Sequence, residues 1–168
     1  KNLLQALRKA AKNIRLTHKR QLIKRRILIQ GRDKTVIQIF TPIDSVGLYI
    51  PGGRAAYPST ALMLAIPGKV AGVRKVIACT PPRQDGSIDP SVLVALDLAG
   101  VNEIFRVGGV QAIAAMAYGT ETIPKVSKIM GPGNLYVTAA KTLVYGEVGI
   151  DFPAGPTELM VFADEKAD

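Results

Sequence analysis

The sequence predicts an α/β chain in which a doubly wound, mainly parallel sheet follows a basic N-terminal helical arm. Three observations predict it. Short apolar runs recur from Val46 onward, separated by segments of helix length. The runs are continuously apolar instead of alternating, as in strands covered on both faces. The positive charge is concentrated at one end: residues 1–34 hold 12 of the 22 Lys and Arg and a single acid, Asp33.

Residues 2–21 read as a helix, because Leu3, Leu7, Ala10, Ala11 and Ile14 recur at three- and four-residue steps while Lys9, Lys12, Arg15 and Lys19 point elsewhere. His18 reads as a packing or capping residue of that helix. Residues 34–41 are rich in β-branched side chains and bounded by Asp33 and Pro42, which predicts a strand in a hairpin or at an edge. Further strands are expected at Val46–Ile50, Lys75–Thr80, Glu103–Val107, Lys125–Met130 and Glu158–Phe162. Helices are expected between them at Ser59–Val70, Pro90–Leu98, Val110–Tyr118 and Asn134–Val144. Repeating βα units with right-handed crossovers give a Rossmann-like sheet. The arm is assigned to residues 1–33 and the α/β body to 34–168, with 146–168 a candidate start of a second domain's segment.

The 168 residues suit one α/β domain, and 48% apolar composition excludes a disordered chain. Stretches such as Ala61–Pro67 are far below the ~20 residues that span a bilayer, and no signal-peptide layout appears at the start. A cytoplasmic protein is therefore expected, with no membrane partner. Cys79 and His18 are the only cysteine and histidine, so neither an intrachain disulfide nor a Cys/His zinc site can form. Cys79 ends an apolar run and reads as a buried hydrophobe. The net charge of +9 resides in the arm, since the remaining residues hold 10 Lys and Arg against 12 acids. The arm lacks aromatic side chains for base stacking, so nucleic acid is not the expected partner; an amphipathic helix with a solvated basic face accounts for the charge.

Ligands of an open parallel sheet bind beyond the carboxyl ends of its strands. The expected loops there are Pro51-Gly52-Gly53-Arg54, Pro81-Pro82, Gly108-Gly109-Val110-Gln111, Gly131-Pro132-Gly133-Asn134 and the segment from Ile150 to Glu158. Four of these five are glycine-rich, and three are expected to lead straight into helices, whose N-termini attract phosphate. Neither the G-x-G-x-x-G fingerprint nor a P-loop occurs. The residues alone therefore indicate an α/β domain for a phosphate-bearing or dinucleotide ligand. Tyr49 could stack on a base or ribose, or pack in the core. Asp151 and Glu158 could orient a substrate, or serve as a cap or ion pair. No nucleophile–base pair is evident.

The segments Val46–Gly53, Val107–Ala114, Gly131–Asn134 and Ile150–Glu158, with Ala10–Ile14 and His18 of the arm, resemble the histidinol dehydrogenase family in order and spacing. The resemblance covers nearly the whole chain. It implies oxidation of L-histidinol to L-histidine through an aldehyde with two NAD⁺, zinc as a second cofactor, and a homodimer. Tyr49, Gln111 and Asn134 match the family's NAD-contacting positions. Thr157 matches a substrate-contacting serine and keeps its hydroxyl. The family's metal-binding Gln-x-x-His and its Glu-His acid/base pair, expected beyond Glu165, are not in these residues, so no catalytic or metal-ligating residue is assigned here. An alternative is a stand-alone module whose basic arm holds RNA or another anionic partner. Residues 1–168 alone are expected to bind NAD weakly and not to oxidise histidinol. An assay for NADH with zinc and histidinol checks this; turnover would contradict it.

Overall fold

The computed structural model describes residues 2–23, 25–52, 55–153 and 160–166. The apolar stripe of the first segment forms helix α1 (Asn2–Gln21), which buries Leu7 and Ala11. The chain then turns into an antiparallel hairpin of β1 (Arg25–Gln30) and β2 (Thr35–Ile39). Its turn is closed by the Gly31 N–H donating to the Lys34 carbonyl at 2.9 Å. The strand predicted at residues 34–41 is therefore in a hairpin, at Thr35–Ile39; its partner, residues 25–30, has no separate sequence assignment because Arg25 and Arg26 continue the charge pattern of the arm. Every residue of both strands is exposed, and between Ile27 and Ile29 the register shifts.

The body alternates β3 (Ser45–Tyr49), α2 (Pro58–Ala71), β4 (Lys75–Cys79), α3 (Pro90–Ala99), β5 (Glu103–Phe105), α4 (Gly109–Tyr118), β6 (Lys128–Met130), α5 (Leu135–Leu143) and β7 (Gly149–Ile150). The five body strands are parallel in the order β5-β4-β3-β6-β7. Counted along the body this is 3-2-1-4-5, the Rossmann-like order expected, and it reverses direction between β3 and β6.

The continuous apolar runs follow from this burial. Val46, Leu48, Ile50, Val76 and Ala78 face one cluster with α1, α2 and α3. Tyr49, Ile77, Cys79 and Ile129 face the other, with Ala112, Ile113 and Met116 of α4 and Val137 of α5. Each buried Leu or Ile contributes about 1.5–3 kcal/mol, so both layers are needed to hold the central strand. Gly47 brings α4 close to β3: a Cβ there would meet Met116 Sδ at 2.5 Å.

The helices match the expected segments to within one residue at most ends. Asp89 caps α3, accepting from the Ser91 amide at 2.8 Å, and Pro90 occupies its first turn. The strands differ more. β6 begins at Lys128, not Lys125, because the Val126 amide donates to the Met116 carbonyl at the end of α4 and leaves the sheet. β5 ends at Phe105, not Val107, since its neighbour β4 ends at Cys79. Among the described residues the last strand is β7: Gly149–Ile150 takes the edge beside β6, where the sequence offered no strand. Residues 160–162 are not a strand, and Glu158 and Leu159 lie outside the described residues.

Cys79 is fully buried, and burial pushes its thiol up to about 12. The thiol is therefore expected to resist iodoacetamide in the native protein at mildly alkaline pH and to react once unfolded, as read by intact mass. Equal labelling of both states would contradict this placement.

Candidate cofactor site

Four loops come together at the carboxyl edge of the sheet. Pro81, after β4, packs against both Gly52, after β3, and Gly108, after β5. The Tyr49 hydroxyl, at the end of β3, accepts a hydrogen bond from the Gly109 amide at 3.1 Å, joining β3 to the start of α4. The phenol is buried against the α4–α5 layer, so the packing alternative is the observed one, with its hydroxyl engaged at the loop edge.

Gly131 marks the reversal point between β3 and β6. Its φ of +132° suits glycine, and a Cβ there would collide with the Tyr49 carbonyl oxygen. Its amide donates to Asp151 Oδ2 at 2.8 Å, and its carbonyl accepts from Lys141 Nζ at 3.0 Å. Lys141 and Asp151 also pair with each other. This pair supplies the partner of Asp151 Oδ1, a buried oxygen with no hydrogen bond of regular geometry. Asp151 thus follows the ion-pair alternative. Glu158 lies outside the described residues.

Asn134 caps α5, its Oδ1 accepting from the Val137 amide at 3.0 Å, and its side chain stands at the exposed end of the loop. Gln111 is exposed on the first turn of α4. The preceding cap residue, Gly108, has no side chain with which to occupy the helix N-terminus. Two of the expected loops enter helices directly, at Gly109 and Leu135. After β3 the helix starts only at Pro58, because a longer connection intervenes. Gly53, Arg54 and Thr157 lie outside the described residues.

Between the β3 and β4 loops is a small cleft of about 100 Å³, lined in part by Pro51, Gly52, Thr80, Pro81, Arg83 and Asp89. It is below the ~300–1,000 Å³ of an enclosed ligand pocket, so a dinucleotide would lie along an open edge. Arg83 pairs with Asp89 at its rim. The Ser91 hydroxyl and amide, then Arg83, hold the Asp89 carboxyl below the usual carboxylate range.

The structure thus gathers Tyr49, Gln111 and Asn134 onto one edge of the sheet, while His18 lies on α1, away from these loops. Sequence reading missed Lys141 and the Arg83–Asp89 pair. Lys141 had a signal: it falls between Val137 and Val144 at four- and three-residue steps, a cation on an apolar face. Among the described residues no three His, Cys, Asp or Glu side chains could hold a metal, so these residues do not fit zinc. Among them, too, no helix is long and apolar enough to cross a membrane.

The histidinol dehydrogenase family profile matches residues 1–168. The histidinol dehydrogenase of Methanothermobacter thermautotrophicus is 60% identical over 163 residues, covering 97% of this chain and 38% of the relative. That of Archaeoglobus fulgidus is 56% identical over 166 residues, covering 99% of this chain and 41% of the relative. The crystal structure of histidinol dehydrogenase from Elizabethkingia anophelis superposes with a TM-score of 0.89 at 45% identity, over 94% of this chain and 36% of that one. The chain thus spans about two fifths of the length of the relatives it matches.

Replacing Gly131 by alanine is expected to destabilise the fold by about 3 kcal/mol or more, since both its positive φ and the Tyr49 carbonyl oppose a side chain. Urea denaturation measures this. A variant within ~0.5 kcal/mol of the parent would contradict the crossing described.

Proposed function

The chain belongs to the histidinol dehydrogenase family, and from that premise we propose that it forms the NAD-binding part of an enzyme oxidising L-histidinol to L-histidine through the aldehyde. The observation that carries the reading is the convergence on one sheet edge of the three positions that the resemblance assigns to NAD. Tyr49 joins the β3 and α4 loops, Gln111 stands on the first turn of α4, and Asn134 caps α5. In this reading the exposed Gln111 and Asn134 amides contact the dinucleotide. Tyr49 fixes the spacing of the loops beneath it, and its hydroxyl takes the Gly109 amide at the N-terminus of α4, next to the end of the helix where a pyrophosphate is favoured. NAD supplies the hydride acceptor.

The fit is one of donors and shape. Glycine at Gly52, Gly108 and Gly109 keeps side chains away from this edge, and in this reading the first-turn amides of α4 beyond Gly109, whose own amide the Tyr49 hydroxyl takes, face the anion. Arg83 makes no phosphate contact in this reading, because Asp89 already neutralises it. Thr157 is assigned to the substrate. Zinc ligands and the acid/base pair belong to other parts of the enzyme in this reading. The family further suggests a homodimer acting in the cytoplasm on L-histidinol. We also propose the division of the chain into an arm of residues 1–33 and a body of 34–168, with the β1–β2 hairpin bridging the two. The burial of Leu7 and Ala11 in the cluster formed with α2 and α3 favours a structural role for α1 over the RNA-binding alternative.

NAD titration of the whole protein and of two variants tests the assignment. Asn134→Asp keeps a capping oxygen, so stability is expected to hold within ~0.5 kcal/mol. The lost amide and the added negative charge are expected to weaken NAD binding about tenfold, since one such interaction is of the order of 1–2 kcal/mol. Gln111→Ala is expected to raise the Kd for NAD in the same titration with little change in thermal stability. Unchanged NAD affinity in both folded variants would remove these loops from the cofactor site.

A further inference from the structure

We propose that Lys141 and Asp151 are positioning residues, which fix the Gly131–Asn134 loop from below and thereby set the placement of Asn134 at the cofactor edge. The second half of this statement rests on the cofactor reading above; the first half stands on the geometry alone.

Gly131 opens the loop. It is buried, and β6 ends one residue before it, so no strand partner is shown for its amide or carbonyl. Buried backbone groups need partners. Here both come from side chains: Asp151 Oδ2 accepts from the amide and Lys141 Nζ donates to the carbonyl. The two side chains arrive from different elements. Asp151 directly follows β7, and its own amide donates to the Ile129 carbonyl of β6 at 3.2 Å. Lys141 lies on the inner face of α5, between the buried Val137 and Val144. The loop is thus held at its first residue by the pair and at its last by the Asn134 cap.

A merely space-filling role would not select these residues. Lys141 is only 2% exposed, and burying an ammonium with a carboxylate generally gives no more stability than well-packed apolar side chains of similar volume. What an apolar pair cannot do is bond both polar groups of one residue. That residue crosses under the Tyr49 carbonyl, where a small displacement carries directly to the loop edge. Asp151 also starts the segment that leads to Thr157. One carboxylate therefore ties the loop assigned to the cofactor to the segment assigned to the substrate.

Two double variants of the whole protein separate positioning from packing. Lys141→Met with Asp151→Leu removes both charges and both bonds to Gly131. Lys141→Gln with Asp151→Asn removes the charges but leaves a donor and an acceptor in place. Read-outs are the thermal midpoint, NAD affinity by titration, and hydrogen exchange at the Gly131 and Val137 amides. The Met/Leu variant is expected to keep a cooperative transition, lose NAD affinity about tenfold or more, and exchange faster at both amides. The Gln/Asn variant is expected to bind NAD within about threefold of the parent, a difference below 1 kcal/mol. A folded Met/Leu variant with parental affinity and exchange would overturn the proposal. If Met/Leu does not fold, Gln/Asn decides: a tenfold loss in that folded variant overturns it, and near-parental binding with retained protection at Gly131 supports it. If the parent itself binds no NAD, the cofactor reading fails. The exchange rates then judge the pair's hold on the loop, with unchanged protection in both variants counting against it.

Discussion

The central strand β3 has to be covered on both faces, and most of the body follows from that constraint. It pairs with β4 on one side and β6 on the other, so its peptide groups have neighbours in the sheet. Its side chains point alternately into two apolar layers. A parallel arrangement requires a long crossover after each strand, and the crossovers are the helices that form those layers. Because chain order reverses beside β3, the connections on either side of it depart to opposite faces. An open crevice is left where they part. The loops that carry Tyr49, Gln111 and Asn134 meet there for topological reasons, before any ligand is considered.

The same topology explains what could be read in advance. The helices were legible because their ends are chemically marked. Asp89-Pro90 opens α3, Asn134 opens α5, and Gly72 and Gly100 close α2 and α3 in the left-handed region. The interior strands were legible because burial on two faces makes them continuously apolar. The edges were not. β7 is two residues long and has no pattern of its own, since only its pairing with β6 defines it. Lys125–Ser127 looks like the beginning of a strand, but a hydrogen bond to α4 draws it out of the sheet. β1 was obscured by Arg25 and Arg26, which continue the charge pattern of the arm without continuing its helix.

At the site, residue types and loop positions were legible, whereas their mutual support was not. Gly-Pro-Gly-Asn announces a loop entering a helix, and the resemblance assigns Asn134 a cofactor role. Neither shows that the loop is fixed by a lysine seven residues further on and an aspartate beyond the next strand. Such pairing is a property of three-dimensional closure: α5 folds back over β6 and β7, and Lys141 meets Asp151 only then. Tyr49 makes the same point from the opposite side. Its position at a strand end was clear, but its burial and its bond to the Gly109 amide depend on α4 packing across Gly47.

The hairpin has a consequence of a different kind. Ile27, Leu28, Ile29, Val36, Ile37 and Ile39 are all accessible on a ribbon of only two strands. Such a ribbon can accept a further strand from another molecule along either free edge. Two features oppose this: Arg25 and Arg26 place like charges where matching copies would meet, and the irregularity between Ile27 and Ile29 interrupts a straight edge. Both act by charge repulsion or local twist, and only the first is screened by electrolyte. The colloidal behaviour of the chain in concentrated solution should therefore be governed by ionic strength, through a hairpin that lies outside the five-stranded sheet.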